Sequence, residues 1–158
     1  MSDMPLALNA ADAARLEAYL HKHIPLVRHM QVRVTACDAS GLTLTAPLAA
    51  NINHKASAFG GSLASLATLA CWGLMWLVLK PAHGTHIVVN ESRMLYLRPV
   101  TAALVAHCPL PDAPVLNRFL RTFERRQKAR IHLHAQVLQD QRLCARFNGY
   151  FVAYHAKV

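Results

Sequence analysis

Acidic residues are scarce: 8 Asp and Glu stand against 17 Lys and Arg, a formal charge of +9. Glycine and proline are also few, at 6 and 8 among 158 residues, which excludes a collagen-like or low-complexity chain. Charged residues make up only 16% and apolar ones 54%, a balance that excludes general disorder. No Cys-x-x-Cys pair occurs. Cys37, Cys71, Cys108 and Cys144 are spread along the chain, so there is neither a zinc framework nor a readable disulfide pattern. Met1 to Ile24 carries Asp3, Asp12, Arg15 and Glu17 and so lacks the apolar core of a secretory signal. The expectation is a cytoplasmic protein whose cysteines are reduced core residues.

No long Gly/Ser or Pro linker, internal repeat or charge block divides the chain. A single domain over 1–158 is therefore expected, long enough to bury a core without a structural metal. The positive charge points either to an acidic partner (nucleic acid, anionic lipid, a phosphate-rich cofactor or an acidic carrier protein) or to solubility alone.

Uncharged residues run from Phe59 to Leu79, and Lys80-Pro81 stops the run. Its length would allow one membrane crossing. Three features favour a buried central helix instead. The run opens on Gly60-Gly61-Ser62; Ser62, Ser65 and Thr68 recur at helical spacing; and the flanking segments alternate like strands of a soluble sheet.

Around this helix, expected at 59–80, the pattern is regular. Asn9 to His23 reads as an amphipathic helix within an N-terminal region 1–25, with Leu16, Tyr19, Leu20 and Ile24 on one side. Val27–Ala36 and Leu42–Ala46 read as a hairpin around Asp38-Ala39-Ser40-Gly41. Pro47–Ala58 reads as a loop. His86–Leu97 and Ala102–Cys108 read as strands. Asp112 is placed to cap a short helix running to Arg126, with Leu116, Phe119, Leu120 and Phe123 as its apolar face. Ile131–Leu138 and Leu143–Ala153 complete the strands. A mostly antiparallel sheet needs one face covered. A bent sheet wrapped round one long apolar helix, an α+β fold, is the natural solution.

That architecture, with Asn53-His54-Lys55-Ala56-Ser57-Ala58-Phe59-Gly60-Gly61-Ser62-Leu63 leading into the helix, resembles the hot-dog fold of the thioesterase superfamily. It is most similar to the hot-dog domain attached to some bacterial acetyltransferases, which also occurs alone. Tyr96-Leu97-Arg98-Pro99-Val100 after the long strand fits the same superfamily. The resemblance implies a homodimer, or a dimer of dimers, with the active site between subunits. It implies an acyl thioester of coenzyme A or of acyl carrier protein as substrate, and no cofactor. Related stand-alone domains include malonyl-carrier-protein decarboxylases and thioesterases.

Several residues suit such chemistry. Gly60-Gly61-Ser62 opens the helix, where the first N–H groups lack intrahelical partners and the dipole is positive. Two glycines let a carbonyl approach closely, as an oxyanion hole requires, or simply permit tight packing. Asn53 suits donation to the thioester carbonyl, or loop capping; Asn51 is its rival. In hydrolytic relatives with the Asn-x6-Gly-Gly loop, the position matching Thr68 carries aspartate, and that matching Phe59 is often histidine. Neither is kept here. A threonine hydroxyl positions a water but is no general base. Alternatively Thr68 and Ser65 bond their own helix backbone.

His54 and Glu91 are the nearby candidates for a base, with Asn90 beside Glu91 on the long strand. His132 and His134 share a strand face, but two imidazoles alone are weak evidence for a metal, and none is expected. Arg98 belongs to the Tyr-Leu-Arg-Pro element. Arg118, Arg121, Arg125, Arg126, Lys128 and Arg130 form the densest basic patch, opposed by Glu124. It is either a solvated face or a docking surface for coenzyme A phosphates or an acidic carrier protein. Nucleic acid is disfavoured, because Phe119 and Phe123 sit on the apolar face rather than among the basic residues.

Thioester hydrolysis needs an activated water. Decarboxylation of a malonyl thioester needs only stabilisation of the enolate oxygen. The missing carboxylate favours malonyl-thioester decarboxylation, with a hydrolase and a non-catalytic acyl-binding dimer as the alternatives.

Overall fold

In a computed structural model, described over residues 6–81 and 84–156, ten elements follow one another. They are α1 (Ala10–His23), α2 (Pro25–Met30), β1 (Arg33–Asp38), β2 (Gly41–Ala46), α3 (Gly60–Leu79), β3 (Thr85–Tyr96), β4 (Leu104–Pro109), α4 (Ala113–Arg126), β5 (Lys128–Gln139) and β6 (Arg142–His155). The strands form one antiparallel sheet in the order β1-β2-β4-β5-β6-β3. The sheet curves round α3, which packs against β2, β3, β4, β5 and β6. The expected α+β hot-dog architecture is thus the observed one.

Alternation in the sequence decides which side chains enter the core. In β5, Ala129, Ile131, Leu133, Ala135 and Val137 are buried, while Lys128, Arg130, His132 and His134 lie on the outer face. Leu63, Leu66, Ala70, Leu74 and Leu77 of α3 meet this inner face. Most of the apolar stretch that is long enough to cross a membrane is therefore inside the protein. Leu16 and Leu20 of α1 are fully buried; each such side chain stabilises the fold by roughly 1.5–3 kcal/mol. Asn9 caps α1 and forms a reciprocal capping box with Asp12. All four cysteines are free and buried.

Three local expectations are corrected. Val27–Met30 is not strand: Pro25 starts a turn of helix, Val27 and Met30 face the core, and Gln31 at φ 58° ends it. Asp112 precedes α4 but its side chain makes no capping bond, and Pro114 lies in the first turn. The extra helix is not short, since α4 has 14 residues, as many as α1. Gly41 is required by the β1–β2 turn. It has φ +132°, and a Cβ there would sit 2.1 Å from the Cys108 carbonyl oxygen.

Candidate functional site

The loop before α3 is a small closed structure. Ile52 bridges Ala58, and the backbone of Asn53 donates to the Ser57 carbonyl at 2.7 Å. The Asn53 side chain organises the tip. Its Oδ1 accepts from the Lys55 N–H at 2.8 Å and the Ser57 N–H at 3.2 Å. Its Nδ2 donates to Ser57 Oγ at 3.0 Å and, more weakly, to the Ala58 carbonyl at 3.4 Å. Only this last, long bond leaves a hydrogen loosely held.

Asn51 does a different job. It is 3% exposed, and its Nδ2 donates to the Met30 carbonyl at 3.0 Å and the Pro47 carbonyl at 2.9 Å. Its own carbonyl accepts from the Phe59 N–H at 2.7 Å. Asn51 therefore staples the base of the loop to α2 and to the end of β2. Its Oδ1 is buried without a partner among the described residues. Buried this deeply, Asn51 positions the loop and does not face a substrate.

At the start of α3 the Phe59 carbonyl accepts from Ser62 at 2.9 Å and Leu63 at 3.1 Å. Among the described residues, the N–H groups of Gly60 and Gly61 have no backbone acceptor. The ring of half-exposed Phe59 lies over Gly61, 2.4 Å from where a Cβ would be, so glycine lets this ring fold back. A cavity of about 330 Å³ beside Gly60 is lined by Ala58, Leu63, Tyr96, Leu97, Arg98 and Val100. The Arg98 guanidinium donates to the Leu143 carbonyl at 2.8 Å.

Thr68 lies about 12 Å further along the helix, eight residues at 1.5 Å each. Its hydroxyl donates to the Ala64 carbonyl at 2.8 Å, and Ser65 does the same to Gly61. Both hydroxyl protons are taken up by carbonyls of the helix itself. The segment from Ala39 to Asn90 contains no Asp or Glu at all, so neither the loop nor α3 carries a carboxylate.

Gly60 and Arg98 border one cavity, the Phe59 ring lies over Gly61, Asn51 is bonded to the Phe59 N–H, and Asn53 reaches as far as the Ala58 carbonyl. His54 is exposed at the loop tip. Asn90 is the extra residue of a β-bulge in β3. Glu91 stands opposite Tyr150 on the outer face, with its carboxylate 4.0 Å from Arg130. That face is turned away from α3. Arg125 and Arg126 end α4 beside Lys128, which pairs with Tyr154 and so lies at the Thr85 end of the sheet. Gly60 lies at the Tyr96 end, about 36 Å away along β3 at 3.3 Å per residue.

Tyr96 of the Tyr-Leu-Arg-Pro element carries no local pattern in the sequence that marks it for the start of α3. The Tyr96 hydroxyl donates to the Gly60 carbonyl at 3.0 Å. It thereby holds the first turn of α3 against the end of β3.

Comparison with known proteins agrees with this fold. The model of the family described as "Putative thioesterase (yiiD_Cterm)" matches residues 13–155. The chain belongs to this YiiD_C family. Family and fold together place it in the hot-dog thioesterase superfamily. A protein of unknown function from Chlorobaculum tepidum is similar at 33% identity and a TM-score of 0.88, over 98% of this chain and 100% of that one. A "putative thioesterase" from Shewanella oneidensis shares 31% identity at a TM-score of 0.82, over 92% and 99%. A Pseudomonas aeruginosa "probable thioesterase" at 23% identity and a TM-score of 0.76, over 90% and 96%, shares the fold. The YiiD_C match spans both the Asn53–Gly61 loop and the Tyr96–Arg98 element.

Proposed function

We propose that this chain is an enzyme acting on an acyl thioester of acyl carrier protein or coenzyme A. Its reaction is the loss of carbon dioxide from a malonyl thioester, leaving the acetyl thioester. Membership of the YiiD_C family supports the thioester substrate. The choice of reaction rests on one observation: open N–H donors at Gly60 and Gly61 in a segment without any carboxylate.

The thioester carbonyl oxygen sits against these two N–H groups, with Asn53 Nδ2 as a third donor. The carbon–carboxylate bond breaks and its electron pair moves into the thioester, forming carbon dioxide and an enolate. The negative charge on the enolate oxygen meets fixed donors and the positive end of α3. The terminal carbon then takes a proton from solvent and becomes a methyl group. The absence of Asp and Glu from residues 39–90 leaves no local negative charge to oppose the malonyl carboxylate.

The working unit in this reading is a homodimer. Among the described residues β3 is bonded to β6 on one edge only, and Val88, Val89, Leu95 and Tyr96 along it are exposed. A long apolar edge strand of this kind pairs with another strand. Antiparallel pairing of two β3 strands about their middle sets the Thr85 end of one chain beside the Tyr96 end of the other. The Arg125–Arg126 patch then flanks the partner's loop, where an acidic carrier protein would dock.

The printed descriptions of the family and of the Shewanella relative favour hydrolysis as the second reading. The two are separated by their products. Malonyl-carrier protein is incubated with the enzyme; mass spectrometry reads the carrier-bound product and a thiol-reactive dye reads free thiol. Acetyl-carrier protein without thiol release is expected. Rapid thiol release would overturn the decarboxylase in favour of a hydrolase with His54 as its base. No turnover of either kind would leave an acyl-binding dimer.

A further inference from the structure

The two edges of the sheet, β1 and β3, are built differently. An edge strand presents unpaired N–H and C=O groups, a template on which another chain adds a strand. Along β1 that template is occupied. α1 packs on the strand, anchored in the core by Leu16 and Leu20. The Glu17 carboxylate accepts from the Val34 N–H through Oε2 at 2.8 Å, and its Oε1 holds the Arg33 guanidinium at 3.0 Å. One turn further along α1, His21 Nε2 lies 2.7 Å from the Val32 carbonyl oxygen. A carbonyl only accepts, so this nitrogen carries the proton.

Both bonds fall on the open side of the strand. Val32 and Val34 are two residues apart, so their backbone groups point the same way, away from the partner β2. A strand added to β1 would need these same two groups, and Glu17 and His21 stand where it would run. β3 is the contrast. It has 12 residues against the 6 of β1. Among the described residues, one of its backbone groups is taken by a side chain: the Ile87 carbonyl, by Trp72 Nε1 at 2.8 Å. From Val88 to Tyr96 no side chain seals the edge in this way among the described residues.

We propose that Glu17 and His21 act as a stop on self-assembly: they hold the outward backbone groups of β1, so that a second copy of this chain extends the sheet through β3 alone. A chain that pairs through one edge forms a closed pair about a two-fold axis. A chain with both edges free adds a copy at each and grows without closing. The pairing through β3 rests on the homodimer reading above. The seal on β1 does not, and neither depends on the reaction assigned to the Gly60–Gly61 loop.

The test uses the full chain. Hydrogen exchange in dilute solution reads the β1 segment, and light scattering on a sizing column reads mass as concentration rises. The parent should hold one mass, twice that of the chain, with β1 protected. Glu17→Ala combined with His21→Ala should speed exchange in β1 by about tenfold, the loss of a charge-assisted bond, and its mass should climb with concentration. Glu17→Gln keeps an oxygen for the Val34 N–H and should hold the parent's mass. Adding Val34→Pro to the double variant removes the freed N–H from the edge and should restore the parent's mass, which clumping of a loosened fold would not do. Thermal melting checks that each variant folds; if the double variant does not, Glu17→Ala alone is read in the same way. A parent with the mass of one chain would remove the β3 dimer, while growth confined to the unsealed variant would still uphold the stop. An unsealed variant that keeps the parent's mass, exchange in β1 that does not quicken, or growth that persists with Val34→Pro would overturn it.

Discussion

The Tyr96 hydroxyl and the Gly60 carbonyl are joined by a 3.0 Å hydrogen bond across 36 residues of chain. One residue ends the long edge strand and the other opens the central helix. The bond fixes where the helix N-terminus, with its two free N–H groups, sits relative to the sheet. Tyr96→Phe keeps the ring and removes the bond. It should cost about 1 kcal/mol of stability, the usual net value of such a bond. Turnover should fall several-fold while KM changes little, because the donors are displaced but not lost. Thermal melts and steady-state kinetics on the same preparation check both.

The two asparagines of the loop should separate cleanly. Asn53→Ala should leave a folded protein and lower kcat by about 10²–10³, the effect of losing one oxyanion donor. Asn51→Ala should instead lower the melting temperature, since the buried Met30 carbonyl and the part-buried Pro47 carbonyl lose their donor at a cost of about 1–3 kcal/mol. Unchanged kinetics in Asn53→Ala would reduce that residue to a loop cap.

Thr68→Asp puts a carboxylate into a segment that has none. Hydrolysis of a simple acyl thioester should appear above the parent level, read as free thiol. Decarboxylation of the malonyl thioester should weaken, because a second negative charge opposes the malonyl carboxylate. A variant that gains no hydrolysis would mean that water does not reach this turn of α3.

Charge reversal at Arg125 and Arg126 should raise KM for a carrier-protein thioester more than for a small thioester. The difference should shrink with salt, since exposed charges are screened over about 10 Å at 0.1 M. Equal effects on the two substrates would make the patch a solvated face.

His134 gives a pH dependence of defined sign. Its imidazole is held below the ordinary value of 6.5, first by partial burial and then by His132, His107 and Arg146. The unfolded chain therefore binds the proton more readily than the folded one. This contribution to stability is complete above pH 6.5 and is lost as pH falls below it. Urea unfolding of the parent and of His134→Gln between pH 7.5 and 5 should show a smaller acid loss in the variant.

Much of this protein was legible before any coordinates. Period-2 alternation in Lys128–Gln139 and the uncharged run from Gly60 to Leu79 are local patterns, and they fix strand, helix and the face each buries. The free donors at Gly60 and Gly61 follow from a helix start alone. The alternation of Val32 and Val34 with polar residues extends a strand pattern back to Val27, while Pro25 and burial of Val27 and Met30 impose a helical turn there.

What the sequence alone did not decide concerns partners far apart in the chain. Asn51 and Asn53 are the same residue two positions apart. Only the fold buries the first against Met30 and Pro47 and leaves the second at the loop tip. Glu91 and Thr68 looked like neighbours of one site, but strand register turns Glu91 to the outer face, and helical backbone carbonyls claim the Thr68 hydroxyl. The bond from Tyr96 to Gly60 arises where the end of β3 meets the start of α3. Local periodicity carries burial and secondary structure; which polar atoms meet is set by register and packing across the sheet, and those exist only in the folded chain.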